Sequence, residues 1–474
     1  MAQPVIHWFR RDLRLMDNIA LHEAINSGQP VVPVFIFDDT LLKSRRVGAP
    51  RVKFMLNALH SLNDSLASYG ARLVIRRGDP VKVLSALIEQ TSASAVYFNA
   101  DYSPYARKRD DAVIEALDVD MHAYDDALLL SPGSVLKDDG DPYRVFTPFK
   151  KTWNAIDKPE RVETHFKKSV FANDLHKLTD GLPSLRDLGF DDTIDVPEAS
   201  EQRAKALLGT FIEQDIKVYD ETRNALVIDP FGKDRPAGTS YLSPYLRLGL
   251  LSPRQAYWAA RDAYSRARND DYKTSVATWV SELTWREFYM HILYHYPHVM
   301  QRDFVDTYES LKWADDNDLL QAWKDGKTGY PVVDAPMRQL KAIGWMPNRA
   351  RMIVASFLTK DLLIYWKHGD IHFMQHLIDG DPAANNGGWQ WAAGTGTDAQ
   401  PYFRIFNPIS QSEKYASPDY LRHWIPELAN VPDKYIHAPW TMDEPPANYP
   451  APIVDHKEAR EATIAAFKAA RGEG

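Results

Sequence analysis

Residues 385–398 read NNGGWQWAAGTGTD, with two tryptophans two positions apart behind paired glycines. On an α-helix, side chains two apart diverge by ~200°. Trp389 and Trp391 therefore serve two different surfaces, an arrangement that a simple core helix does not need. From Glu201 to this stretch and beyond it, the pattern is helical almost throughout, with no strand alternation of any length. The last segment, from Glu458 (EAREATIAAFKAARGEG), reads as one exposed helix.

The N-terminal part has another grammar. Apolar runs at 5–9, 31–37, 72–76, 95–98 and 121–130 alternate with helical patterns at 51–69, 80–90 and 105–117. That is the spacing of a parallel α/β sheet. No GxGxxG follows the first run, so a dinucleotide-type phosphate loop is missing there. Residues 131–200 have poor periodicity and many Pro, Asp and Lys; they read as a long connection with short helices, YRVFTPFKKTW being one anchored piece. The expected organisation is an α/β domain over 1–131, Rossmann-like with a parallel five-stranded sheet, a linker over 132–200, and an all-α domain over 201–474.

A chain of 474 residues can bury more than one core. The absence of cysteine excludes disulfides, thiolate zinc sites and a Cys nucleophile. A net charge of −8 argues against broad coating of nucleic acid, so any DNA contact must come from a local basic patch. No apolar run reaches the length of a membrane span, and MAQPVIHWFRRDLRL leads straight into a strand-like segment without a signal peptide. A cytoplasmic monomer with no membrane partner and no metal is expected.

Three further segments carry chemistry. In Thr239, Ser240, Tyr241, Leu242, Ser243 and Pro244, Ser243 suits an N-cap and Pro244 the first helical turn. Hydroxyls at a helix N-terminus can receive a phosphate, although Ser252 and Pro253 repeat the pattern and show how unspecific it is. Trp279, Glu282, Trp285 and Arg286 fall at i, i+3, i+6 and i+7, one helical stripe. Two indoles with a Glu and an Arg make a site wall better than a core face. In GWMPNRARM (344–352), Asn348 and Met352 share a face one turn apart and Arg349 points elsewhere. Arg351 has a possible acidic partner in Asp361, and Asp379, Asp381 and Arg404 add polar groups around the Trp389/Trp391 pair.

Together with WFRRDLRLMDN, GTSYLS, ELTWREFY, KTGYPVVDAPMRQL, NRARM and PYFRIFNP, the opening stretch resembles the photolyase/cryptochrome family over nearly the whole chain, specifically its bacterial class I cyclobutane pyrimidine dimer photolyases. The resemblance implies an antenna-chromophore domain followed by a helical FAD-binding domain. It assigns Tyr219 and the segment Thr239, Ser240, Tyr241, Leu242, Ser243 to the FAD phosphates. Trp279, Glu282, Arg286, Asn348, Arg351, Asp379, Asp381 and Asn385 complete the FAD set, with Asn385 near N5 and Arg351 paired to Asp361 beside the ring. Trp285 and Trp391 would wall a flipped-out dimer, with Glu282, Asn348 and Met352 contacting it; Arg223, Arg349 and Arg404 would hold DNA phosphates. Trp389, Trp366 and Trp313 match the family's electron-transfer chain.

The implied function is light-dependent repair of UV-damaged DNA: an electron from photoexcited reduced FAD splits the dimer and returns. Pro347 stands where the family often has His, and the two His of (6-4) photolyases are missing at Asn348 and Met352. Ala106 replaces the Glu of folate-binding members, whereas Arg51, Asp101 and Arg247 sit closer to the 8-hydroxy-5-deazaflavin pattern than to methenyltetrahydrofolate; an empty antenna pocket is the remaining option. The rival readings are a cryptochrome, a blue-light receptor without repair activity, and a flavoprotein that binds single-stranded DNA without chemistry. Asn385, where plant-type cryptochromes place Asp, and Glu282 beside the site tryptophans favour repair.

Overall fold

The computed structural model describes residues 2–192, 194–231 and 238–473. β1 (Val5–Phe9) and β2 (Val31–Phe37) are buried at every position, as central strands covered on both faces must be. With β3 (Val74–Arg77), β4 (Ala95–Asn99) and β5 (Asp120–Tyr124) they form one parallel sheet in the order β3-β2-β1-β4-β5. The helices Ile19–Asn26, Ala49–Ala67, Pro80–Thr91 and Pro104–Ala116 make the crossovers. Side chains of Asn18, Asp79 and Ser103 accept the N–H groups of Leu21, Lys82 and Ala106, which fixes where three of them start. The strand order reverses between β1 and β4, and in such sheets ligands bind beyond the carboxyl ends of that strand pair.

The expected α/β architecture is present, with local differences. The fifth run stops being a strand at Tyr124, because Asp125 and Asp126 are drawn into side-chain bonding with Tyr102 and Arg14. Sequence periodicity gave no sign of the helix Ile19–Asn26, which has only eight residues; its one local signal is the Asn18 cap.

By compactness the chain forms two units: residues 1–220 with 239–297, and residues 221–238 with 298–474. This grouping differs from the division at 131 and 200, which follows periodicity rather than packing. In the first unit, Arg254 on the helix Pro253–Arg266 is fully buried and pairs with Asp17 at 3.0 Å and Asp126 at 2.6 Å. Arg14 meets Asp126 at 2.7 Å. Gly249 lets the chain after Leu248 lie against the backbone of Arg11 and Asp12, where a Cβ would collide. On the helix Asp270–His295, buried Glu287 accepts the Trp153 indole N–H at 2.6 Å, which anchors the helix Phe146–Ala155. Removing one partner of a buried ion pair typically costs ~3–5 kcal/mol. Asp126→Ala, which removes the carboxylate paired with Arg14 and leaves Arg254 to Asp17, is expected to destabilise the first unit by about that amount in denaturant titration.

Beyond residue 200 the described residues contain no strand. Ser200 caps the helix Glu201–Thr210, which runs into a π-helical turn at Phe211–Asp215. The second unit packs the helices Pro331–Ile343, Asn348–Ser356, Trp366–His376 and Pro382–Ala393 around a core containing Trp323, Trp366 and Trp389. The last helix, His456–Ala470, is largely exposed as expected, but one side of it is anchored. Thr463 and Phe467, one turn apart, are buried, and Phe467 stacks on Tyr402 with centroids 5.6 Å apart. Among the described residues no helix is long and apolar enough to cross a membrane.

Candidate functional site

In the first unit the expected stripe exists. The helix Asp270–His295 carries Trp279, buried, and Glu282, Trp285 and Arg286, each half-buried. Phe211 from the π-helical turn packs on Trp279 at 5.1 Å and edge-on to Tyr219 at 5.8 Å, so one ring joins two of the expected residues. Nothing in the local pattern singled out Phe211. Phe146 stacks flat on Trp285, centroids 3.5 Å apart and planes 7° off parallel. A base could therefore stack only on the opposite face of Trp285. Arg286 donates to the Ala127 carbonyl at 2.8 Å.

Of the segment 239–243, Ser240, Tyr241 and Leu242 are buried, Thr239 is half-buried and Ser243 is exposed. Tyr241 has φ +54°, a left-handed conformation of the kind that clusters at ligand clamps. Ser243 does not take the cap position expected for it. It is the first residue of the helix Ser243–Leu248, and Leu242 before it has φ −88° and ψ −4° rather than the extended backbone an N-cap adopts. Ser252 forms a complete capping box with Gln255.

At the carboxyl ends of β1 and β4, Arg11 and Asp101 form an ion pair at 3.2 Å. Burial alone would raise the Asp101 acid, but Arg11 and then Arg247 overcome it and hold the acid well below the usual carboxylate range. Asp101 and Arg247 are thus brought together, with Arg11 as a partner that sequence reading missed although it lies in the WFRRDLRL motif. Arg51 is buried and donates to the Arg46 carbonyl at 2.6 Å.

In the second unit the helix Asn348–Ser356 begins directly behind Pro347, whose backbone (φ −58°, ψ 148°) is outside the helix and leaves its register intact. Asn348 is exposed and its Nδ2 approaches the Met352 sulfur at 3.8 Å, the shared face expected. Arg349 points away, clamping the Asn224 oxygen at 2.9 and 3.1 Å with its guanidinium over Tyr415. Arg223 beside it is half-buried and Arg404 is exposed.

The expected Arg351–Asp361 pair does not form. Arg351 meets Asp379 at 2.8 Å, and Asp361 meets His456 Nδ1 at 2.5 Å. Arg351 and Asp361 are ten residues apart, on the α-helix Asn348–Ser356 and the π-helical turn Phe357–Asp361 that continues it, and a rise of ~1.5 Å per helical residue sets them too far apart for an ion pair. Burial pushes the Asp361 acid up to about 6, against the hydrogen bond from His456. Asp381 caps the helix Pro382–Ala393 through the N–H groups of Ala383 and Ala384. Asn385 gives its Nδ2 to Asp370, to Oδ1 at 2.6 Å and to the carbonyl at 3.0 Å, so that its Oδ1 is the side-chain acceptor.

The tryptophans separate as their spacing requires. Trp389 is buried against Phe373 and Trp323, whereas Trp391 is half-exposed. The Trp389 ring lies on Gly369, one turn along the helix from buried Trp366, in the space where a Cβ would sit. Tyr365 then bridges outward, 5.3 Å from Trp366 and 5.6 Å from half-buried Trp313. The row runs from interior to surface. Tyr365 and Gly369 were not anticipated, although both flank Trp366 in sequence.

The chain thus combines a parallel α/β unit that carries the Arg11–Asp101 ion pair at its strand ends with helices that carry a graded aromatic row. Residues 5–167 match the family model described as DNA photolyase, and residues 279–469 match the FAD binding domain of DNA photolyase. The chain belongs to the DNA photolyase family and carries its FAD-binding domain. It is 43% identical over 489 residues to the deoxyribodipyrimidine photo-lyase of Halobacterium salinarum, covering 99% of both chains. A solved bacterial class III photolyase from Agrobacterium tumefaciens is 36% identical with a TM-score of 0.90, covering 100% of this chain and 98% of that one. A cryptochrome from Synechocystis is 29% identical with a TM-score of 0.86, covering 98% of each.

Proposed function

We propose that this protein is a deoxyribodipyrimidine photo-lyase, which splits cyclobutane pyrimidine dimers in UV-damaged DNA under blue or near-UV light. The observation that carries this reading is the division of labour between Trp389, buried in the aromatic row, and Trp391, half-exposed two residues later. The donor chemistry of both units suits FAD. The first offers the hydroxyls and backbone of Thr239, Ser240, Tyr241, Leu242 and Ser243, with Tyr219, Trp279, Glu282 and Arg286. The second offers Asn348, the Arg351–Asp379 ion pair, Asp381, and the Asn385 amide oriented by Asp370. Bound and reduced, FAD supplies the light-excited electron that opens the cyclobutane ring.

The protein's own groups do the rest. Asn385 Oδ1 is free to accept a hydrogen bond from a protonated ring nitrogen, and Asp370 holds it in that orientation. Stacking of a base on an aromatic face contributes ~1–3 kcal/mol, the role assigned to Trp391 and to the face of Trp285 away from Phe146. Asn348 and Glu282 would hydrogen-bond the dimer's polar edge and Met352 would pack against it. Arg223, Arg349 and Arg404 supply the local positive charge that an acidic chain needs to hold phosphates. Trp389, Trp366 and Trp313 would carry an electron inward to recover the reduced cofactor. In the first unit the Arg11–Asp101 pair, with Arg247, stands at the sheet's switch point and suits an anionic or hydrogen-bonding antenna of the deazaflavin type, with Arg51 as a further ligand. The working form proposed is a cytoplasmic monomer.

The similarity to a cryptochrome keeps one other reading in play, a photoreceptor without repair. The deciding assay exposes an oligonucleotide carrying one thymine dimer to chemically reduced protein, in light and in darkness. Loss of the dimer is expected in the lit sample alone; equal dimer content in both would leave the photoreceptor reading standing.

A further inference from the structure

Trp389 has two indole neighbours to which an electron vacancy can pass. Trp323 lies edge-on with ring centroids 5.9 Å apart, and Trp366 stands one turn from Gly369, the residue against which the Trp389 ring rests. Both neighbours are fully buried, so exposure does not distinguish them. Their N–H partners do. Trp323 donates to a neutral acceptor, the Val354 carbonyl, at 3.0 Å. Trp366 donates to the carboxylate of Asp303 at 2.5 Å, and Asp303 is itself 4% exposed.

An indole that loses an electron becomes a cation with a more acidic N–H. A buried carboxylate on that N–H stabilises the cation more than a carbonyl dipole does, because hydrogen bonds to charged groups are roughly twice as strong as neutral ones. We propose that Asp303 is a positioning residue that directs the vacancy from Trp389 outward to Trp366, and so to Trp313, rather than sideways to Trp323. The inference rests on the relay reading given above. One electron passes from Trp366 to an oxidised Trp389, whose own electron has gone to the bound, light-excited flavin. The proton stays on Trp366 Nε1, held by Asp303, and the electron then missing from Trp366 comes from Trp313. Burial pushes the Asp303 acid above its ordinary value, offset only in part by the hydrogen bond from Trp366 and by the Thr395 hydroxyl, and a positive charge on the indole works against that rise in favour of the carboxylate.

Asp303→Asn removes the charge and keeps an oxygen that can accept the indole N–H. In flash transient absorption of the holoprotein, the yield of vacancies reaching Trp313 is expected to fall about tenfold, the factor one charge-assisted hydrogen bond is worth in a barrier. Flavin content and melting temperature should stay near those of the parent. An unchanged yield would overturn the assignment. Trp366→Phe, run alongside, separates the two levels. If it leaves photoreduction intact, the relay itself fails; if it blocks photoreduction while Asp303→Asn has no effect, only the role of Asp303 fails. On the unsubstituted holoprotein, light-induced difference infrared spectra with isotope-labelled aspartate should show a carboxylate band shifting as the vacancy forms. No such shift would also overturn the assignment, whether or not Asp303→Asn folds.

Discussion

Gly369→Ala is expected to abolish light-driven reduction of the bound flavin and to lower the melting temperature. A Cβ at this position would fall inside the Trp389 ring, under 3.0 Å from three of its carbon atoms. The ring must move, and it has little room, with Phe373 at 4.9 Å and Trp323 at 5.9 Å against it. Overpacking of this kind typically costs ~1–3 kcal/mol or more, which exceeds the ~1 kcal/mol that Ala gains over Gly in helix propensity. Displacing the indole also breaks the ring row at its inner end. Gly388→Ala provides the contrast: it lies beside Trp389 in sequence, on the helix Pro382–Ala393, with nothing within 4 Å of the added carbon. That variant should be neutral or slightly stabilised. A Gly369→Ala protein that photoreduces its flavin at the parent rate would show that Trp389 is not held where the relay requires it.

Trp389→Phe should slow photoreduction by more than about 100-fold, a factor that a barrier increase of only ~3 kcal/mol produces. Phenylalanine fills most of the volume and stays apolar, so the core around Phe373 survives at modest cost. What it lacks is an accessible one-electron oxidation. Steady-state spectra under blue light with an external thiol reductant measure the effect directly. Trp323 sits close enough to Trp389 to be considered as a substitute donor, but it is fully buried and its N–H rests on a neutral carbonyl. Its neutral partner does not stabilise a vacancy as the Asp303 carboxylate does at Trp366, so residual photoreduction in Trp389→Phe should be slight.

Much of this architecture was readable in the chain itself. Continuous apolar runs announced β1, β2 and β4 because central parallel strands are buried on both faces, and the two-residue Trp spacing announced two surfaces. Long-range pairing was not readable. Arg351 found Asp379 rather than Asp361, because the choice among acids depends on where separate helices cross, and no periodicity encodes that. Ser243 carried the right residue type for a cap, yet the helix starts one residue earlier, with Leu242 in the cap position and Ser243 already inside the helix. Phe467 looked like one apolar residue on an Ala-rich exposed helix, and its burial against Tyr402 and Tyr308 is a tertiary fact. Asp303 lies in an unremarked RDF tripeptide, 63 residues from the indole it serves. Contacts made over such distances depend on the finished fold.

Crossing the two tryptophans in one set of preparations gives the sharpest check. Trp389→Phe and Trp391→Ala holoproteins would each be assayed for photoreduction of oxidised flavin and, after chemical reduction, for light-driven splitting of a thymine dimer. Trp389→Phe should lose the first activity and keep the second. Trp391→Ala should keep the first and bind the lesion ~5- to 150-fold more weakly, the equivalent of ~1–3 kcal/mol of lost stacking. If both variants lose both activities together, or if the losses are exchanged, the two indoles do not divide electron supply from lesion recognition.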